Sequence, residues 1–346
     1  MDWDQLDLSP RISAAVTKGN LKSAQNVLTF SVPELQKLTK LSVADVRLLQ
    51  KTVANALRKN EMVTAFQMFS EKTPFPSQHQ KLSLGCKILD NLLRGGIPLV
   101  GITEIAGESS AGKTQIALQL CLSVQYPAEY GGLGAGAVYI CTEDAFPSKR
   151  LHQLIKCQQK LRSSVPPDII KKIQFGDGIF IEHAADIEML TDCITKKVPI
   201  LLLRGAVRLI VIDSIAALFR CEFAAKDAVL KAKHVQTLGA KLHELSSRFL
   251  TPVLCINQIT DTVGDSVQDN LGLKDRKGAP ALGISWSNQL LMRMIVTRTP
   301  YAAPQEFPGC ILRTMEIVFA PHIPQSSCYY TVDVDGVKGI DQPLSQ

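Results

Sequence analysis

From about Ser9 to Lys59, apolar residues recur at helical spacings: Ile12, Val16, Leu21, Val27, Leu28, Leu35, Leu38, Val46, Leu49, Val53 and Leu57. Steps of three, four and seven place side chains on one helix face, so this stretch predicts a small all-α unit. Ser31 and Ser42 stand where N-caps are needed. Polar residues with Pro74 and Pro76 follow, and the expected division is a helical domain at 1–59, a linker at 60–81 and a core at 82–346.

Beyond Leu82 the pattern changes to short apolar runs alternating with helical stretches. Strands are expected at Ile102–Ala106, Val138–Cys141, Ile179–Glu182, Leu209–Ile212 and Val253–Ile256. Helices are expected near Thr114–Gln125, Lys149–Leu161, Ile187–Thr195 and Asp227–Phe249. This β-α-β alternation predicts an α/β fold, a mostly parallel central sheet covered on both faces. The tail differs: Gln289–Thr297, Ile311–Phe319 and Tyr329–Val334 have no long helix between them. They are expected to extend one edge as antiparallel strands, closing with an Asp335-Gly336 turn.

Composition narrows the class only modestly. Across 346 residues, 46% hydrophobic and 20% charged, the chain can bury an ordinary globular core. A net charge of +6 leans slightly toward a phosphate-rich partner. The nine cysteines form no C-x-x-C pair, which argues against zinc and for reduced thiols in an intracellular protein. Met1–Pro10 carries three aspartates and no apolar run, so no secretory signal is expected. Arg204, Arg208 and Asp213 interrupt the greasy stretch Val198–Phe219, which fits a buried helix end, loop and strand better than a membrane span.

Gly107-Glu108-Ser109-Ser110-Ala111-Gly112-Lys113-Thr114 fits G-x-x-x-x-G-K-[ST]. Glycines let such a loop fold tightly around phosphate oxygens; Lys113 would reach the β- and γ-phosphates, and Thr114 would ligate Mg²⁺. A strand before it and a helix after it supply the required context, and the ligand expected is ATP. Leu209-Ile210-Val211-Ile212-Asp213 is an apolar strand ending in a carboxylate, which emerges beside that loop and can hold Mg²⁺ or its water. After Val138–Cys141, Glu143 is placed to orient an attacking water, with Asp144 as its adjacent alternative.

These motifs in this order, with Tyr139-Ile-Cys-Thr-Glu-Asp144, Leu209 to Arg220 and Cys255-Ile-Asn-Gln-Ile259, resemble the RecA-type recombinases over roughly residues 5 to 340. The helical N-terminal unit and edge strands, with Thr142–Pro147 and Phe219–Phe223, place the likeness with the eukaryotic strand-exchange paralogues. The resemblance implies a RecA-like P-loop ATPase core using ATP and Mg²⁺. It implies that Arg150 stacks on adenine and that Gln258 senses the γ-phosphate. It also implies two DNA-facing segments, Arg220–Lys226 and about Thr260–Gly283, the second holding Lys274, Arg276 and Lys277.

Three departures qualify the likeness. The family's Phe-x-x-Ala docking segment reads Met62-Val63-Thr64-Ala65, which implies a heteromer with another paralogue rather than a long self-filament. A hairpin glycine is replaced at Lys40-Leu41-Ser42, which disfavours DNA contact there. Phe319-Ala320-Pro321 lacks an aspartate that caps the neighbour's ATP, which implies slow hydrolysis. The function expected is an accessory subunit of homologous-recombination repair of double-strand breaks and damaged forks. It would bind single-stranded and branched DNA, assist the main recombinase, and act mainly as an ATP-dependent switch with slow, DNA-stimulated hydrolysis. Residence would be nuclear with a cytoplasmic pool, with no membrane partner. The competing reading is an autonomous helicase-type motor of the same fold.

Overall fold

The computed structural model describes residues 8–57 apart from 20, 22 and 23, and residues 80–341 apart from 262–277, 305, 306 and 308; Trp3, Leu6, Thr64 and Phe66 are also described. The chain divides into two compact units, Met1–Pro76 and Ser77–Gln346. Among the described residues no helix is long and apolar enough to cross a membrane.

In the first unit, helices Pro10–Lys18, Val32–Thr39 and Val43–Leu57 and a 3₁₀ turn at Ala24–Thr29 enclose Ile12, Val16, Val27, Leu35, Val46, Leu49 and Val53. Both expected caps are present. The Glu34 carboxylate accepts from the Ser31 N–H at 2.8 Å and from its hydroxyl at 2.7 Å. Ser42 Oγ accepts from the Asp45 N–H at 3.1 Å. Leu28 and Leu38, expected in the core, are instead exposed. A 3₁₀ turn repeats every three residues, so Ala24 and Val27 share the inner face and Leu28 falls off it. Leu41 of the hairpin turn is buried in this small core, after Lys40 takes a left-handed conformation at φ 57°.

The second unit is built on a ten-stranded sheet beside a small antiparallel ribbon, β1 (Lys81–Leu82) with β2 (Ile97–Pro98). Its strands are β3 (Ile102–Gly107), β4 (Gly136–Cys141), β5 (Ile179–His183), β6 (Val207–Asp213), β7 (Val253–Asp261), β8 (Gly278–Pro280), β9 (Met292–Ala302), β10 (Ile311–Phe319), β11 (Ser326–Val332) and β12 (Val337–Ile340). The order is β12-β11-β10-β9-β3-β7-β6-β4-β5, with β8 paired to the end of β7. Strands β9 through β5 in that order run parallel; β10, β11 and β12 add on antiparallel.

Alternation along the parallel strands divides the core into two layers. Leu209 and Val211 face the helix Lys113–Ser123, while Ile210 and Ile212 face Ile187–Asp192 and Ala228–Phe249. Covering both faces explains why these strands read as continuous apolar runs. The helix after the P-loop is buried from Ile116 through Ser123, since sheet and flanking helices enclose it on all sides.

Several elements depart from the sequence reading. The first tail strand begins at Met292, and it is parallel to β3 rather than antiparallel. A parallel neighbour needs a return crossover; the short helix Gly283–Ser287 provides it, anchored by fully buried Trp286. The Leu291 N–H then donates to Ile102 O at 2.9 Å and fixes the entry into β9. The expected helix Lys149–Leu161 breaks at Cys157 into Ser148–Lys156 and Gln158–Leu161. The helix beginning at Ile187 runs past Thr195 through a π-turn, Cys193–Lys197, into Val198–Leu203. Pro199 lacks an N–H and its ring crowds the preceding turn, a standard cause of such widening.

Candidate functional site

The parallel strands end at one edge of the sheet, and the sequence-selected residues meet there. A cavity of about 990 Å³ is lined by Gly107, Ser110, Gly112, Lys113, Thr114, Tyr139, Glu143, Asp144, Arg150, Asp213, Gln258 and Arg313, among others. Backbone geometry dictates the two glycines of the loop. A Cβ on Gly107 would sit 2.3 Å from Val296 O, and Gly112 holds φ 101°. Ala111 is fully buried beneath the loop.

Strands β9, β10 and β11 fasten the loop from outside. Tyr330 on β11 donates its hydroxyl to Ala111 O at 2.5 Å. Arg313 on β10 reaches Ser110 O at 3.4 Å, and Glu108 accepts from the Arg298 N–H on β9 at 2.6 Å. Motif reading missed these residues, because they lie about 190 to 220 positions downstream and only strand pairing brings them close.

Lys113 Nζ donates to the carbonyls of Gly107 at 2.8 Å and Glu108 at 2.7 Å. Burial lowers its pKa, while Asp213, Glu143 and Glu108 pull in the opposite direction. Thr114 Oγ1 donates to Asp213 Oδ2 at 2.8 Å, and Tyr139 donates to the same oxygen at 2.5 Å. Burial raises the Asp213 carboxyl above its ordinary range; the hydrogen bonds from Tyr139 and Thr114 and the charge of Lys113 oppose the rise. Register explains Tyr139: Cys141 pairs with Asp213, so Tyr139 lies two residues back on the same sheet face. A hydroxyl on an otherwise apolar strand neighbouring β6 was the available signal.

Gln258 joins two residues expected to act separately. Its Nε2 donates to Glu143 Oε1 at 2.6 Å, and its Oε1 accepts from Arg220 at 2.6 Å. Glu143 rather than Asp144 therefore faces Gln258. Arg220 lies in the last turn of the helix Ile215–Cys221. Lys274, Arg276 and Lys277 lie outside the described residues, as do Met62 and Ala65 of the docking segment.

Arg150 forms the far wall. Its guanidinium donates to Gln115 Oε1 at 2.6 Å, Gln153 Oε1 at 2.5 Å, Asp333 O at 2.5 Å and Val334 O at 3.0 Å. The turn carrying those carbonyls is closed by the Asp333 side chain, which accepts from the Asp335 N–H at 2.6 Å, and Gly336 adopts φ 140°. Lys160 and Lys338 bind the Asp335 carboxylate at 2.6 and 2.9 Å. Although burial opposes it, their hydrogen bonds hold Asp335 at about 2, below the ordinary 3.8. A depressed carboxyl stabilises the fold above its unfolded pKa and loses that contribution as pH falls through its folded value. Asp335→Asn is therefore expected to flatten the loss of thermal stability between about pH 4 and pH 2, read by circular dichroism melts. An unchanged acid limb would contradict this.

A glycine-rich loop capped by a buried helix, a lysine at its tip, and a Thr–Asp oxygen pair at the carboxyl end of a parallel sheet define a P-loop nucleotide-binding protein. The sheet order and its antiparallel edge are those of a RecA-like core. Residues 77–340 match the Rad51 family model, and residues 3–57 match an XRCC3/RpoA-like helix-hairpin-helix domain. The chain belongs to the Rad51 family. It is 56% identical to DNA repair protein XRCC3 of Mus musculus over 343 residues, 98% of each chain, and matches the Bos taurus protein of that name to the same extent. It is 33% identical over 286 residues to the DNA repair protein XRCC3 homolog of Arabidopsis thaliana, covering 75% of this chain and 93% of the relative.

Proposed function

We propose that this chain is an ATP- and Mg²⁺-dependent accessory subunit of homologous-recombination DNA repair, binding DNA and other recombinases of its family to assist the main strand-exchange protein in the nucleus. The observation that supports it best is the chain of contacts Arg220–Gln258–Glu143 beside the Lys113, Thr114 and Asp213 cluster. It spans from the phosphate loop to the helix end that opens the segment Arg220–Lys226. Relatives bearing DNA-repair names across animals and a plant support the cellular role.

The residues suit the nucleotide. Thr114 Oγ1 and Asp213 Oδ2 are hard oxygen donors of the kind Mg²⁺ takes, and the cavity has ample room for a nucleoside triphosphate. Lys113 and the first-turn amides of its helix would hold the phosphates, and Arg150 would lie against the base. Bound Mg²⁺ would supply neutralisation of phosphate charge. Glu143 is set to take a proton from water, and Tyr139 orients Asp213 from behind. Gln258 can give up either of its two side-chain partners, so it can report an added negative group to Arg220. Such a contact acts as a switch more readily than as a motor.

In the segment Phe319-Ala320-Pro321, which lacks the aspartate that the resemblance expects against a neighbour's ATP, Phe319 is turned onto Arg293, whose guanidinium lies 5.4 Å from the ring centroid. This supports slow turnover, with nucleotide acting chiefly as a clamp. The test is DNA binding by the chain, purified with its recombinase partner, in ATP against ADP. Tighter binding in ATP, abolished by Gln258→Ala, is expected. Equal binding in both nucleotides, or unwinding of duplex DNA by a homohexamer, would overturn the reading.

A further inference from the structure

Behind the nucleotide site lies a second polar cluster that phosphate chemistry does not require. Glu104, in the middle of β3, is fully buried, as is Asn257 on β7. Glu104 Oε1 accepts from Asn257 Nδ2 at 2.7 Å and from Trp286 Nε1 at 2.7 Å, and its Oε2 accepts from Arg293. Strand register makes this compulsory: Glu104 pairs directly with Arg293, while Ala106 pairs with Asn257.

The Asn257 side chain is saturated in an informative way. Its Oδ1 accepts from the Gln258 N–H at 2.8 Å, and its Nδ2 also donates to Ala281 O at 2.9 Å. The Ala281 N–H in turn donates to Gln258 O at 2.9 Å. One amide therefore ties the backbone of Gln258 to Ala281, where the chain comes back from β8 toward the helix Gly283–Ser287. Glu104 fixes the rotamer of that amide, and the same carboxylate holds the helix through Trp286. With both N–H donors and the oxygen of the Asn257 amide engaged, that side chain has one low-energy arrangement, so a displacement of Gln258 is transmitted to Ala281 instead of being absorbed locally.

We propose that Asn257, oriented by Glu104, is a positioning residue that couples the state of Gln258 to the placement of Ala281 and the helix Gly283–Ser287. The proposal rests on the reading of Gln258 as the residue that meets the γ-phosphate. The test is amide hydrogen exchange of the full chain over residues 278–290, in Mg²⁺ with ATP or with ADP. The variants are Asn257→Ala, Gln258→Ala and Trp286→Phe, each with its ATP affinity measured in parallel.

In the wild type, ATP is expected to slow exchange in this segment by about tenfold relative to ADP, a coupling of ordinary size. Asn257→Ala is expected to cut the difference to less than about threefold while keeping ATP affinity within about threefold of wild type. A general structural role would lower affinity and protection together. Trp286→Phe keeps a smaller aromatic ring, removes one donor to Glu104 and is expected to reduce the difference too; it carries the test if Asn257→Ala does not fold. If Gln258→Ala erases the difference while Asn257→Ala and Trp286→Phe retain it, the proposal falls and the reading of Gln258 stands. A wild type indifferent to the third phosphate, or a Gln258→Ala chain that keeps the full difference, overturns both.

Discussion

Replacing Glu104 with alanine is expected to destabilise the sheet-based unit by about 3–5 kcal/mol, the usual cost of leaving a buried charge without its partner. Arg293 is 1% exposed, and its Nη1 and Nη2 have no hydrogen-bond partner. The Phe319 ring lies against its guanidinium. Taking away Glu104 would also strand Trp286 Nε1 and one bond of Asn257. Urea unfolding of the full chain, followed by tryptophan fluorescence, measures the loss. The double substitution Glu104→Leu with Arg293→Met removes both charges, and it should recover most of the stability, because an apolar pair avoids desolvating two ions. A single variant within about 1 kcal/mol of wild type would show that the pair is solvated and the register is wrong.

Lys113→Ala is expected to weaken ATP binding by about 1.5–3 kcal/mol, tenfold to roughly a hundredfold, the range for losing a charge-assisted contact. The lysine is well prepared for that role. Its ammonium is held by Gly107 and Glu108 carbonyls at the cavity wall, and burial already disfavours its charge, so a polyanion nearby restores what desolvation removes. The fold should survive, because Lys113 lines the cavity and contributes nothing to the apolar core. Calorimetric titration with ATP in Mg²⁺, alongside a thermal melt, separates the two effects. Unaltered affinity would place the triphosphate elsewhere.

The chemistry of the site was legible in sequence wherever it sits at the end of a strand. Gly107, Asp213 and Gln258 each close or follow an apolar run, and parallel pairing then brings them to one edge of the sheet. What lay hidden depends on register and crossover. Glu104 is an acid within an apolar strand, and only its pairing with Arg293 on β9 reveals an ion pair. That pairing was itself obscured, because the five-residue helix Gly283–Ser287 is too short to show periodicity, and β9 was therefore expected to be antiparallel. The roles of Tyr139 and Tyr330 were not legible, since a hydroxyl declares its function only through the acceptor it meets. In the N-terminal unit the period of 3.6 failed at Leu28, where the backbone winds with three residues per turn.

The most direct trial of a nucleotide held by the Gly107–Thr114 loop and the Thr114–Asp213 oxygen pair is an equilibrium titration of the full chain with ATP, with and without Mg²⁺, in wild type and Thr114→Val. Saturation at one nucleotide per chain is predicted, weakened at least about tenfold by omitting the metal or by removing the hydroxyl. Binding that is absent in the wild type, or that ignores both changes, would contradict it.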